Sequence, residues 1–139
     1  MILVDTNLIS EFTRERPARQ VTQWLRHQDA RELFTTSISE AEMFFGALLM
    51  APGRRRDEII GQVQNIFDID FRGRILAFDS AAAREYASIV CDRQRMGRPI
   101  MTADAQIAAI ARSRGATLAT RNVRDFEHCG IELVDPWAA

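Results

Sequence analysis

Two kinds of apolar pattern alternate along the chain. Short, largely apolar runs occur at Ile2-Leu3-Val4, Leu33-Phe34-Thr35-Thr36, Ile75-Leu76-Ala77-Phe78, Ala116 to Thr120 and Ile131 to Val134. Runs of this length suit strands buried on both faces, as in a parallel sheet. Between them, apolar residues recur at helical spacing. A short helix follows Asp5-Thr6-Asn7, a break falls near Pro17, and a second helix carries Val21, Trp24 and Leu25. Ser39 starts a helix running to about Met50, stopped by Pro52-Gly53. From Asp57 onward, Ile59, Ile60, Val63, Ile66 and Phe67 share one helical face. Asp79 or Ser80 caps a helix with Ala82, Ala83, Tyr86, Ile89 and Val90 in phase, ended by Gly97 and Pro99. Thr102 opens the last helix, with Ile107, Ile110 and Ala111 inward and Gly115 closing it. Strands alternating with helices predict an α/β fold: a mostly parallel central sheet with helices on both faces, as a single domain over residues 1–139.

Ligands of such sheets bind beyond the carboxyl ends of the strands. Asp5 ends the first strand, Glu42 falls in the first turn of the helix after the second, and Asp104 falls in the first turn of the helix opened by Thr102. Asn122 and Asp125 follow the strand that ends at Thr120. With right-handed crossovers these loops share one edge. Several carboxylates facing one cleft repel unless a cation neutralises them, and Mg²⁺ takes such oxygen ligands while keeping waters for a substrate. That combination, without lysine or a catalytic histidine, suits metal-assisted attack of water on a phosphodiester. Each acid also has a structural reading. Asp5 also reads as a polar strand end, though its apolar strand and the Thr-Asn after it favour function; Ser39-x-x-Glu42 has the form of a capping box, Asp104 would favour the positive end of its helix, and Asp125 reads as a loop acid. Their common edge carries the functional reading.

Composition narrows the chemistry further. With 47% hydrophobic and 27% charged residues, the 139-residue chain has material for one core. Eighteen basic against nineteen acidic side chains leave a net charge of −1, so attraction to nucleic acid must be local. All eighteen basic residues are arginine. The absence of lysine excludes a Walker-type P-loop and a Schiff-base enzyme. Cys91, Cys129, His27 and His128 make no zinc spacing, and two cysteines make no disulfide framework. No signal peptide and no membrane-length apolar run is recognisable, so a cytoplasmic protein is expected.

Five segments in order carry a resemblance: Ile2-Leu3-Val4-Asp5-Thr6-Asn7; Ser39-x-Ala41-Glu42-x-x-x-Gly46; Thr102-Ala103-Asp104-x-x-Ile107-Ala108; Thr120-Arg121-Asn122-x-x-Asp125-Phe126; and Asp135-Pro136-Trp137. Across essentially the whole chain the sequence resembles PIN-domain proteins, and within them the VapC ribonuclease toxins, including the FitB-like members. The resemblance implies a PIN-like three-layer α/β/α sandwich and an acidic site for Mg²⁺ or Mn²⁺. It implies an endoribonuclease acting on RNA such as transfer or ribosomal RNA, a cognate antitoxin, and a homodimer within a larger complex. By position, Asp5 and Asp104 would bind the metal, with Glu42 holding it or orienting the attacking water. Thr6 and Thr120 would support the carboxylates. The fourth acid of the family falls at Asn122, which offers an amide oxygen but no charge, leaving a second metal in doubt. Asp125 is a candidate substitute.

Other features have competing readings. Arg54-Arg55-Arg56 suits contact with RNA or an antitoxin, or a solvated loop. Arg93, Arg95, Arg98, Arg112 and Arg114 complement helix C-termini. Phe44-Phe45 and Leu48-Leu49 suit a helix buried all round, or else a partner surface. Trp24 and Trp137 suit the core or its rim, and Cys91 a small buried hydrophobe. An aspartyl-nucleophile phosphatase is disfavoured by Asn7 in place of a second Asp and by the missing lysine. A non-catalytic PIN-fold binding module, or a PIN nuclease of RNA processing, remains as an alternative to the toxin.

Overall fold

The computed structural model describes residues 1–138, so Ala139 of the expected 1–139 domain lies outside the described residues. Five strands form one parallel sheet: β1 (Ile2–Val4), β2 (Leu33–Thr36), β3 (Ile75–Leu76), β4 (Thr117–Ala119) and β5 (Leu133–Val134), in the order β3-β2-β1-β4-β5. The helices are α1 (Thr6–Glu11), α2 (Arg19–Arg26), α3 (Ser37–Leu48), α4 (Arg54–Asn65), α5 (Ser80–Arg95) and α6 (Thr102–Arg114). Single 3₁₀ turns cover Ala30–Glu32 and Val123–Phe126, and a π-helical stretch, Ile66–Asp70, continues α4.

Alternation along the strands separates two cores. Leu3, Phe34 and Leu118 face α5 and α6, where Ala82, Ile89, Ala108 and Ala111 are packed. Ile2, Val4, Leu33 and Ala119 face the other way, onto Leu8, Ile9, Val21, Val63 and Phe67 of the α1, α2 and α4 layer. Successive strand residues point to opposite faces, so a strand with both faces covered must be apolar throughout. This is the α/β/α sandwich expected from the pattern.

Several boundaries differ from those expected. Helix α3 begins at Ser37, not Ser39, because the Thr36 hydroxyl caps it by accepting the Ser39 N–H at 3.0 Å. No Ser39–Glu42 capping box forms, and Glu42 stands in the second turn. Strand β3 stops at Leu76 because its sole neighbour, β2, runs out at Thr36, the partner of Leu76. The chain then releases Ala77, stacks Phe78 edge-on to Tyr86 at 5.7 Å and caps α5 with Asp79. The last strand is likewise only Leu133–Val134, paired with Leu118 and Ala119. The arginine run is not a loop: Arg54, Arg55 and Arg56 form the first turn of α4, and the first two pair with Glu58 at 3.4 and 3.7 Å. Cys91 is exposed rather than buried. Phe45, Leu48 and Leu49 are 64%, 55% and 69% exposed, so α3 is not buried all round. Arg93, expected to complement a helix end, is buried.

Candidate active site

Strand β1 lies at the centre of the sheet, and chain order reverses across it: β2 and β3 extend to one side, β4 and β5 to the other. The carboxyl ends of β1 and β4 therefore border the crevice that such a switch creates. Asp5 leaves β1 there. Its Oδ1 accepts the Leu8 N–H at 3.0 Å, capping α1, and its Oδ2 accepts the Thr120 hydroxyl at 2.5 Å from the end of β4. The Thr120 hydroxyl in turn accepts the Asn122 N–H at 3.0 Å. Asp5, 4% exposed, is thus both a structural cap and a fixed carboxylate of the crevice. Burial pushes its carboxyl up from the ordinary range, Glu42 adds to this, and the donors from Thr120 and the Leu8 backbone oppose it.

Glu42 reaches the same place from α3. The Thr6 hydroxyl lies 2.7 Å from its Oε1 and 3.0 Å from Ser39 Oγ. A hydroxyl has one proton, and the short contact to a carboxylate takes it, so Ser39 is the donor in the other contact. Thr36, Ser39, Thr6 and Glu42 form one relay across the β1 and β2 ends. Ser39 and Thr36 were not expected in it. The sequence reads Ser39 only as a helix start and Thr36 only as the end of a strand.

Asp104 lies in the first turn of α6, but its carboxylate accepts no hydrogen bond there. Half buried, it is pushed up to about 6, by burial first and then by the charges of Asp125, Glu42 and Asp5, with Arg93 opposing. A carboxylate serving its helix N-terminus would shift downward. Asp125, on the 3₁₀ turn, is the strongest charged neighbour of Asp104, so it belongs to the acidic cluster despite its exposure. Asp5, Thr6, Asn7, Glu42, Asp104 and Asn122 line one hollow of about 120 Å³, floored by Ile107 and Phe126. Of the sequence-predicted carboxylates, Asp5, Glu42 and Asp104 thus share one hollow with Asn122, while Asp125 does not line it. Arg55 borders the adjoining groove shared with Thr6 and Glu42; Arg54 and Arg56 do not.

The acids of the hollow offer oxygen ligands, and their charges add to the burial that raises the proton affinity of Asp5 and Asp104, which suits a hard divalent cation. As placed, no three acidic, histidine or cysteine side chains converge on one point among the described residues. Sequence reading also missed Arg93. Its guanidinium donates to the backbone carbonyls of Arg98 (2.7 Å), Asp125 and Glu127 (3.0 Å each), tying the turn that carries Asp125 to α5. Cys129 lies 3.6 Å from the same guanidinium, and burial pushes its thiol up.

Comparison with known proteins agrees with this fold. A family model described as PIN domain matches residues 2–131. The chain is 36% identical over 137 residues to the VapC ribonuclease Y4jK of Sinorhizobium fredii, covering 99% of this chain and 98% of that protein. It is 34% identical over 137 residues to the Toxin FitB of Neisseria gonorrhoeae, covering 99% of each. A solved structure of FitAB bound to an IR36 DNA fragment superposes with a TM-score of 0.91 at 34% identity, over 99% of this chain and 96% of that one. The chain belongs to the PIN-domain family, in the branch that contains VapC and FitB.

Proposed function

We propose that the protein is an endoribonuclease that uses Mg²⁺ or Mn²⁺, acting as the toxin of a type II toxin–antitoxin pair. The observation that carries the reading is the hollow at the β1–β4 switch, which Asp5, Glu42 and Asp104 line together and where Asp104 is pushed up to about 6 by burial and by its acidic neighbours. Similarity to a VapC ribonuclease and to a FitB toxin supports RNA as substrate and the toxin role.

Asp5, Asp104 and Glu42 would hold the cation, with the Asn122 amide oxygen as a neutral further donor. A cation bound there supplies Lewis-acid chemistry, polarising a phosphoryl oxygen and lowering the pKa of water. Thr120 fixes the position of Asp5, and Thr6 orients Glu42 toward the hollow. Asn122 adds no charge, which favours one tightly held cation rather than two. Exposed Phe45, Leu48 and Leu49 on α3 offer apolar surface for a protein partner, either the antitoxin or a second copy of the chain. No helix among the described residues is long and apolar enough to cross a membrane.

Purified, partner-free protein incubated with total RNA and transfer RNA tests the proposal. Discrete cuts with 5′-phosphate and 3′-hydroxyl ends are expected with Mg²⁺ or Mn²⁺, and none with chelator or with Asp5→Asn. Cutting that survives chelation sinks the metal assignment. Cation binding without cutting of any RNA would favour a non-catalytic binding module. Growth arrest on expression, relieved by the product of an adjacent small gene, separates a toxin from an RNA-processing nuclease.

A further inference from the structure

We propose that the polar cleft beside the acidic hollow seats the RNA phosphates flanking the scissile bond, with Arg121 as their principal ligand; this rests on the ribonuclease reading. The cleft, about 460 Å³, lies between α1 and the segment after β4 and is lined by Asn7, Arg14, Arg121, Asn122 and Trp137 among others. Asn7 and Asn122 also line the acidic hollow, so the two spaces adjoin. An RNA strand entering that hollow brings a negative charge with every nucleotide. The hollow itself is acidic and the protein as a whole carries −1. Positive charge must therefore be supplied next to the site.

Arg121 has the placement for this. Its backbone lies between Thr120, which holds Asp5, and Asn122, whose N–H returns to the Thr120 hydroxyl. Its guanidinium carbon lies 5.4 Å from the centre of the Trp137 ring. Trp137 is itself fixed: its backbone N–H donates to Asp135 Oδ1 at 2.9 Å, and its side chain packs on the α1 and α2 core. A guanidinium on an aromatic face keeps its edge donors outward, in the planar fork that matches a phosphate. Among the described residues Arg121 is exposed and forms no ion pair or hydrogen bond through its side chain. Arg93 spends its donors on backbone carbonyls, and Arg54 and Arg55 face Glu58. On the opposite wall Arg14 is braced at 2.9 Å by Glu11, whose other oxygen accepts the Ala18 N–H.

Binding is measured by fluorescence anisotropy with a labelled single-stranded oligoribonucleotide and with bulk transfer RNA, in the Asp104→Asn background to stop turnover. Arg121→Ala is expected to weaken both about tenfold at low salt. It should lower the slope of log affinity against log salt by about 0.7, the loss of one single-strand phosphate contact. Arg121→Lys should restore the slope but only part of the affinity, since it keeps the charge and loses the fork. Arg114→Ala removes an exposed charge at the far end of α6 and should change neither. The proposal is overturned if Arg121→Ala binds like its parent, or if Arg114→Ala is equally impaired; cleavage by the wild type would then still stand. If the wild type cuts no RNA and the parent binds none, the ribonuclease reading falls together with it.

Discussion

At Asp5 a carboxylate is almost wholly removed from water, and two donors hold it, one from its own helix and one from Thr120. Losing the Thr120 hydroxyl strips a charge-assisted bond from a buried group and frees the Asn122 N–H. Thr120→Val should therefore cost about 2 kcal/mol of stability, read as a lower Tm, and reduce cleavage, whereas Thr120→Ser keeps both. Asp104 behaves in the opposite sense, since nothing donates to it and three acids press on it. Its proton affinity is higher folded than unfolded, so its contribution to stability is full below about pH 3.8 and is lost as the pH rises through about 6. Metal-free protein should accordingly melt higher at pH 5 than at pH 7, with Asp5 acting in the same direction. Asp104→Asn should flatten that dependence and raise the metal-free Tm at pH 7. The gain is about 1 kcal/mol after allowing for solvent screening of a half-exposed group, or about 3 °C. A mutant that melts lower than wild type at pH 7 without metal would contradict the charge cluster.

Legibility in the sequence follows how local the signal is. Strands β1 and β2 were readable because their unbroken runs have one explanation, burial on both faces, and Gly115, with φ of +63°, closes α6 where a glycine there predicts. The acids were readable as a set because each ends a strand or opens a helix on the same sheet edge. The start of α3 was misread because Thr36 and Ser39 are both good caps; strand pairing decides between them, and that is a long-range fact. Arg93 was illegible for a similar reason. It falls in the last turn of α5, where a local reading finds sufficient cause, while two of its three acceptors lie across the fold on the segment after β4. That segment carries Asp125 and Phe126, so Arg93 acts on the site through an element rather than by touch. Arg93→Ala would leave three carbonyls without their donor and should cost about 3 kcal/mol. Arg93→Lys should recover little of it, because an ammonium cannot span acceptors set out for a planar fork. Thermal melts of the two variants check this; near-complete rescue by lysine would reduce Arg93 to a point charge.

For the whole molecule, a net charge of −1 distributes unevenly: acids gather at the carboxyl edge of the sheet, and arginine supplies all the positive charge around them. Folding thus brings together charges that would separate in the unfolded chain, and stability is surrendered at the site that a cation would occupy. Cation binding and folding are linked for that reason, since only the folded chain presents the assembled hollow. At pH 7, Mg²⁺ at ten times its dissociation constant should stabilise the protein by about 1.4 kcal/mol, close to 5 °C in Tm for a chain of this size. The cation thereby works against the pH effect seen in the metal-free protein. Below about pH 6 the cation must displace the proton that Asp104 retains, so the Mg²⁺-induced shift should shrink between pH 7 and pH 5.5. Asp5→Asn and Asp104→Asn should each lose most of the shift at both pH values, while Arg114→Ala should keep it. Differential scanning fluorimetry over a Mg²⁺ series at the two pH values provides the measurement. A shift of equal size at both, or one retained by Asp104→Asn, would assign the cation to another part of the surface and separate the metal from the crevice between β1 and β4.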